Sequence, residues 1–238
     1  MTHRYFVEPP IREDSATLAG AEAHHLLHVM RLNTGDRVTL FDGSGAEFLA
    51  SIVQRSRASV ELAILSKAEV DRESRLAITL AVALPKGDRQ RWLVEKAVEL
   101  GISRLLPLET ERGVAQPAPA ALDRLRRSVI EASKQCGRNR LMEVLPPVPW
   151  AEHAVAPQAD GNRWIAHFDG QPLSTFRASL RDDLSPSVEV AVGPEGGFTD
   201  GEIALAGQGQ WQIVDLGRRI LRVETAALLL AAVAASAK

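Results

Sequence analysis

The sequence predicts an α/β protein in two parts, a small β-rich domain over residues 1–70 and a larger parallel-sheet domain over residues 76–238. Three observations carry that prediction. Before residue 70, short alternating apolar stretches are punctuated by tight-turn residues, the pattern of a compact barrel. At Leu76 the style changes to a continuous apolar run, Leu76-Ala-Ile-Thr-Leu-Ala-Val-Ala-Leu84, as in a strand covered on both faces. Beyond it, strand-like and helix-like periods alternate, which makes parallel βαβ units.

Taken in order, Arg4-Tyr-Phe-Val7 reads as a first strand closed by Pro9-Pro10. Ala21 to Met30 reads as a short helical segment carrying His24, His25 and His28. Arg37 to Phe41 and Glu47 to Val53 flank Asp42-Gly-Ser-Gly45, a hairpin turn signal. Ser59 to Leu65 supplies another alternating strand, and the charged stretch Lys67 to Arg75 reads as the linker.

In the second part the run from Leu76 stops at Pro85-Lys-Gly87. Asp88 is a good N-cap for a helix whose apolar face holds Trp92, Leu93, Val94, Ala97, Val98 and Leu100, and Gly101 ends it. Leu105 to Leu108 is a short strand. Leu122, Leu125, Val129 and Ala132 mark a helix ending at Gly137, and Pro146, Pro147 and Pro149 break the chain again. Trp164 to His167, Val188 to Val192 and Ile213 to Leu216 are further strands. The last helix, from about Val223, is apolar almost all round, so it needs burial on more than one side. A central core position and a subunit interface both satisfy that need.

The totals exclude several classes. The 238 residues carry a net charge of only −2, so the global balance points to no anionic partner. The distribution is less even: Lys86 to Arg140 holds twelve Lys/Arg against seven Asp/Glu, while residues 1–70 hold seven against nine. That middle excess suits either a phosphate backbone or a solvated helix face. Cys136 is the single cysteine, which rules out internal disulfides and cysteine zinc clusters. His24 and His28 lie one helical turn apart with no third ligand evident, so no metal is expected. The longest apolar run, Ala226 to Ala235, is half of the roughly 20 residues a membrane span needs. With no charged segment leading into an apolar run at the N-terminus, the expected location is the cytoplasm.

The chemistry concentrates between Val188 and Ala226. A β-branched strand, Val188 to Val192, runs into Gly193-Pro-Glu-Gly-Gly-Phe198, where three glycines let backbone N–H groups approach a ligand with no Cβ in the way. A second strand ends at Leu216-Gly217 and leads to a helix. In open α/β sheets ligands sit outside the carboxyl ends of strands, so two such loops make a cofactor-site candidate, although plain tight connections read the same way. There is no G-x-G-x-x-G after a strand, no G-x-x-x-x-G-K-[ST] and no G-x-S-x-G, which argues against a Rossmann dehydrogenase, a P-loop NTPase and an α/β-hydrolase.

Gly193-Pro-Glu-Gly-Gly-Phe198 together with Leu216-Gly-Arg-Arg-Ile-Leu-Arg-Val-Glu-Thr-Ala226 resembles the RsmE family, bacterial 16S rRNA methyltransferases of the SPOUT (α/β-knot) superfamily. The resemblance covers essentially the whole chain. Arg4 to Val7 is similar to the family's opening, and His24 to Asp36 to the core of its PUA-like N-terminal domain. Pro85-Lys-Gly87, Glu95-Lys96 with Glu99-Leu-Gly101, and Glu131 to Arg138 follow in the expected order. Cys136 stands where the pattern has a small Ser-like residue.

The resemblance implies a knotted parallel sheet with a C-terminal trefoil knot behind a PUA-like barrel, S-adenosylmethionine as cofactor, and methylation of N3 of one uridine in the 16S rRNA of the small ribosomal subunit. It also implies a homodimer, which favours the interface reading of the last helix. The implied cofactor residues are His167, Gly193, Pro194, Glu195, Gly196, Gly197, Leu216, Gly217, Ile220, Leu221 and Thr225. Uracil N3 must lose a proton, so a cation at the nascent anion, Arg222, and a general base, Glu195 or Glu224, are the catalytic candidates. An internal ion pair is the competing role for Arg222 and Glu224. The RNA-contact candidates by residue type are Arg4, His25, Arg31, Lys86, Lys134 and Arg138. A SPOUT enzyme for another RNA site, or a non-catalytic RNA-binding protein, remains an alternative.

Overall fold

A computed structural model describes residues 3–8, 11, 14–115, 117–157, 161–182 and 186–237. Pro9 and Pro10, expected to close the first strand, lie outside these residues. The chain divides into two compact units. One is Met1–Glu73 with Ser133–Leu141, and the other is Ser74–Ala132 with Met142–Lys238.

The first unit contains β1 (Arg4–Phe6), β2 (Ser15–Ala19), α1 (Gly20–His24), a π-helical turn (His25–Val29), β3 (Arg37–Phe41), β4 (Ala46–Arg55) and β5 (Ser59–Glu69). They form a five-stranded sheet in the order β1-β3-β4-β5-β2. Alternation sets the core: Val38 and Leu40 of β3, Phe48 and Ile52 of β4, and Val60 and Leu62 of β5 point inward to meet Tyr5, Leu18 and Leu26. The hairpin is closed by Gly43 and Gly45, both in the left-handed region, while Asp42 Oδ1 accepts from the Ser44 N–H at 3.0 Å.

Two features differ from expectation. β5 continues through Lys67, Ala68 and Glu69, with Glu69 opposite Ala46, so the ladder occupies the start of the expected linker. Every side chain at that end of the strand is exposed, which removes the alternation that would reveal it. β2 was not foreseen; it pairs antiparallel with β5 and offers only Leu18 as a large apolar residue.

Residues 133–141 join this unit through buried polar contacts. Glu47 Oε2 accepts from Arg4 Nη1 at 2.9 Å and Arg72 Nη1 at 3.0 Å. Arg4 Nη2 also donates to Asn139 Oδ1 at 2.7 Å, and Arg138 pairs with Glu73. Burial pushes the Glu47 carboxyl up, but the hydrogen bonds and charges of Arg72 and Arg4 outweigh it and hold it below the usual range.

The second unit contains β6 (Ala77–Val82), α2 (Asp88–Glu99), β7 (Arg104–Glu109), α3 (Pro119–Cys136, whose last turn belongs to the first unit), β8 (Glu143–Val144), β9 (Val148–Pro149), α4 (Trp150–Val155), β10 (Asn162–Pro172), α5 (Leu173–Asp182), β11 (Ser187–Val192), α6 (Asp200–Gln208), β12 (Gln212–Asp215) and α7 (Val223–Ala235). The sheet runs β12-β10-β11-β6-β7-β8, with β9 also on β7, and every pairing is parallel. β6 and β11 are the apolar centre, and α7 packs on both of them and on α2. The long apolar helix is therefore a core helix on one side; Leu228, Leu229 and Val233 remain half-buried on the other.

In α2 the buried face is Leu93, Val94, Ala97 and Val98. Trp92 is off that face and 46% exposed, contrary to its expected place. Asp88 is the first helical residue, and Gly87, at φ 68°, holds the cap position. The short helices α4, α5 and α6 were not foreseen.

Candidate functional site

The carboxyl ends of β10, β11 and β12 are neighbours in the sheet, so the loops that follow them meet at one edge. They enclose a cavity of about 200 Å³. Its first wall comes from a bow in β10. Ala166 and Gln171 both pair with Val214, which pushes residues 167–170 out of the ladder and brings His167 and Phe168 to the cavity. Gly170 is required there, since a Cβ would lie 2.5 Å from the Val214 backbone.

The second wall is the loop after β11. Gly197, at φ 68°, donates its N–H to the Pro194 carbonyl at 2.8 Å and turns the chain. Its far end is anchored in the core: Phe198 packs on Trp150 with ring centroids 4.8 Å apart. Thr199 then caps α6. Its side chain accepts from the Glu202 N–H, while Glu202 Oε2 accepts from the Thr199 N–H at 2.8 Å. The same Glu202 also accepts from the Glu111 N–H at 2.8 Å, and Arg112 Nη1 donates to the Gly196 carbonyl at 2.8 Å. The glycine loop is thus held from outside by the loop after β7.

The third wall is residues 215–221 with the start of α7. Gly217, at φ 106°, donates to Asp215 Oδ1 at 2.9 Å. Ile220 is 84% exposed at the rim and Phe168 is 64% exposed. A mostly apolar cleft of backbone loops, with apolar side chains standing at its mouth and a few polar groups in its lining, fits a flat ring with a polar tail.

His167, Gly193, Pro194, Glu195, Gly196, Gly197, Leu216, Gly217, Ile220 and Leu221, all expected at a cofactor, line this cavity together. Thr225 does not; it is exposed in the first turn of α7. Arg222 is exposed at the N-cap of α7 and is not part of the lining. Glu224 is buried beside it. Sequence reasoning missed Phe168, Asp215, Arg219, Val223 and Ala226 in the lining, although Arg219, Val223 and Ala226 lie inside the motif from Leu216 to Ala226. It also missed Arg89, which reaches Glu195 Oε1 at 2.9 Å.

The RNA-contact candidates fare differently. Arg31 and Lys86 are exposed. Arg4 is engaged by Glu47 and Asn139, Lys134 by Glu22 at 2.8 Å, and Arg138, 3% exposed, by Glu73. The His25 ring packs against Tyr5, with its Nδ1 buried. Arg4, Lys134 and Arg138 are thus each paired with a carboxylate inside the first unit. Among the described residues no group of three or more His, Cys, Asp or Glu is placed to hold a metal, and no helix is long and apolar enough to cross a membrane.

The profile described as RNA methyltransferase domain matches residues 72–235, and that described as RNA methyltransferase PUA domain matches residues 18–65. The chain belongs to the RNA methyltransferase family. Among its relatives, the ribosomal RNA small subunit methyltransferase E of Synechocystis sp. is 34% identical over 95% of this chain and 75% of its own. That of Bacillus subtilis is 28% identical over 94% and 93%. Of the solved structures, a Legionella pneumophila protein described as a methyltransferase, in complex with bound S-adenosylmethionine, superposes with a TM-score of 0.90 at 32% identity, over 100% of this chain and 98% of its own. The ribosomal RNA small subunit methyltransferase E of Neisseria gonorrhoeae, bound to S-adenosylmethionine, gives 0.86 at 31%, over 98% and 96%. The cavity lining lies within the residues that match the RNA methyltransferase domain.

Proposed function

We propose that this protein transfers a methyl group from S-adenosylmethionine to N3 of a uridine in the 16S rRNA of the small ribosomal subunit. One observation carries the reading: the three-loop cavity is built from the same glycine loop and Leu216–Leu221 segment that the sequence pattern singles out. Residues 1–70 act as the PUA-like RNA-binding domain and residues 76–238 as the SPOUT methyltransferase domain, with a C-terminal trefoil knot.

The cavity suits this cofactor. Backbone groups of Gly193–Gly197 and Leu216–Leu221 hold its adenosine part, Ile220 covers the ring, and His167 borders the same space. Gly193 has no room for a side chain, because a Cβ would lie 2.9 Å from the Phe198 ring, so the backbone itself forms the wall. Bound there, the cofactor supplies an electrophilic methyl group. The chain supplies alignment, which provides much of the rate in such a displacement. Arg222, whose side chain has no hydrogen bond or ion pair among the described residues, steadies the negative charge that develops on the uracil. Glu195, at the cavity wall, takes the N3 proton.

The RNA footprint rests on exposed cations. In the first unit His28, Arg55 and Arg57 line an open groove with Leu27, Thr34 and Val53, and Arg31 is exposed near it in sequence. Arg55 Nη1 is oriented by Asn33 Oδ1 at 2.6 Å. Lys86 adds an exposed cation in the second unit. Such contacts position a phosphate backbone without reading sequence. The protein works as a cytoplasmic homodimer joined through the outer face of α7, needing neither metal nor membrane.

The deciding experiment incubates the purified protein with labelled S-adenosylmethionine and small ribosomal subunits that lack the modification, then maps the methylated base. Label at uridine N3 of 16S rRNA supports the reading. Label at another base or RNA makes it a related methyltransferase, and cofactor binding without transfer makes it a non-catalytic RNA binder.

A further inference from the structure

Arg89 stands in the first turn of α2, in the segment after β6, and β6 pairs with β11 up to Val82 opposite Val192. From there its guanidinium reaches two carboxylates. Nη2 lies 2.9 Å from Glu195 Oε1, and Nη1 lies 3.5 Å from Glu224 Oε2. Glu195 belongs to the glycine loop that forms one cavity wall. Glu224 lies between Val223 and Ala226, which belong to another.

The two carboxylates differ in environment. The Glu195 side chain is 41% exposed, while that of Glu224 is 8% exposed and its Oε2 has no hydrogen-bond partner among the described residues. Among the described residues Arg89 is the cation that Glu224 faces. A buried carboxylate left without a cation is costly, and Arg89 places its guanidinium charge beside Glu224 in the first turn of α7. A guanidinium is a rigid, planar fork with five N–H donors, able to engage two acceptors in fixed directions; an ammonium is a point charge without that geometry.

We propose that Arg89 is a positioning residue that clamps the glycine loop to the start of α7 and so holds the cofactor cavity in its binding shape. The proposal rests on the cofactor reading above. Arg89 itself is outside the cavity lining. Together with Arg112, which grips the Gly196 carbonyl from another side, it keeps a loop ordered that the cofactor would otherwise have to order on binding.

The test measures S-adenosylmethionine binding by calorimetry, amide hydrogen exchange in the cofactor-free protein, and steady-state kinetics. Arg89→Met should weaken cofactor binding about tenfold and raise exchange at residues 193–198 and 223–226. Arg89→Lys should recover part of the affinity. Glu195→Gln should weaken binding less, and adding it to Arg89→Met should cost nothing more, because both remove one contact. The Glu195→Gln arm, at a half-exposed position, keeps the test valid if Arg89→Met folds poorly. Unchanged affinity in both single variants, additive losses in the double variant, or a fall in kcat in Arg89→Met without a change in affinity overturns the clamp. Absence of binding by the wild-type protein overturns the cofactor reading and the clamp with it.

Discussion

The ring of Phe198 closes over Gly193 so tightly that a Cβ there would lie 2.9 Å from the ring and 3.2 Å from the Phe198 backbone nitrogen. Phe198 cannot yield easily, since it is 5% exposed and packs on Trp150. Gly193→Ala should therefore push the loop into the cavity, weakening S-adenosylmethionine binding at least tenfold and costing about 1–3 kcal/mol of stability through overpacking. Gly196→Ala is the internal comparison. Its Cβ would meet the Arg112 side chain at 3.2 Å, and that chain is exposed and flexible, so the loss should be much smaller. Calorimetric titration and thermal melts of the two variants check the order, and equal losses would contradict it.

Arg222 is exposed, outside the cavity lining, and at the end of the segment that forms its third wall. A residue that acts on the developing uracil anion should matter to turnover and little to the cofactor. Arg222→Ala is expected to lower kcat roughly 100-fold while the cofactor Kd changes less than about twofold. Single-turnover kinetics at saturating RNA, beside equilibrium cofactor binding, separate the two quantities. Normal turnover under those conditions would remove Arg222 from the chemistry.

The outer face of α7 yields a second kind of prediction. Leu228, Leu229 and Val233 stay half-buried while Ala227, Leu230 and Ala231 are buried against the sheet. A homodimer joined through this face would bury the leucines, and a charge there would be desolvated without a partner. Leu229→Asp should convert the dimer to a monomer in sedimentation velocity while leaving the far-ultraviolet dichroism unchanged. A wild-type protein that sediments as a monomer, or a variant that still sediments as a dimer, would exclude this interface.

What the sequence made legible was what depends on local pattern. β6 and β11 announce themselves as apolar runs stopped by Pro and Gly, and the loops after β11 and β12 announce themselves by composition. Those loops, read with the resemblance that their residues carry, named ten residues that line the cavity. What stayed hidden depends on partners distant in the chain. Arg89 and Glu195 are 106 positions apart, and nothing local to either marks the bridge. Arg4, Lys134 and Arg138 pair with Glu47, Glu22 and Glu73 within the first unit, and nothing local to the three cations marks those partners. The short helix α4 and the strand β2 escaped because packing, with little amphipathic pattern of their own, decides them, whereas α5 carries the helical spacing Leu173, Phe176 and Leu180, which was overlooked. α6 carries its signal in the Thr199–Glu202 capping box, a spacing that was overlooked.

Tyr5 offers a prediction that needs no mutation, because the chain holds a single tyrosine. It is fully buried, its hydroxyl has no hydrogen-bond partner among the described residues, and burial first, then the negative charge of Glu22, pushes its pKa up to about 12. In the unfolded chain the phenol ionises near its ordinary value of about 10. The folded state therefore binds the proton more tightly, so the stabilisation is fully present below pH about 10 and is lost as pH rises towards about 12. Spectrophotometric titration of tyrosinate absorbance should give an apparent pKa well above 10 in the native protein. Denaturant melts should show stability falling across the same interval, by more than in a Tyr5→Phe variant. A native titration midpoint near 10, or a Tyr5→Phe variant with the same alkaline loss, would mean that Tyr5 is not the group controlling stability there.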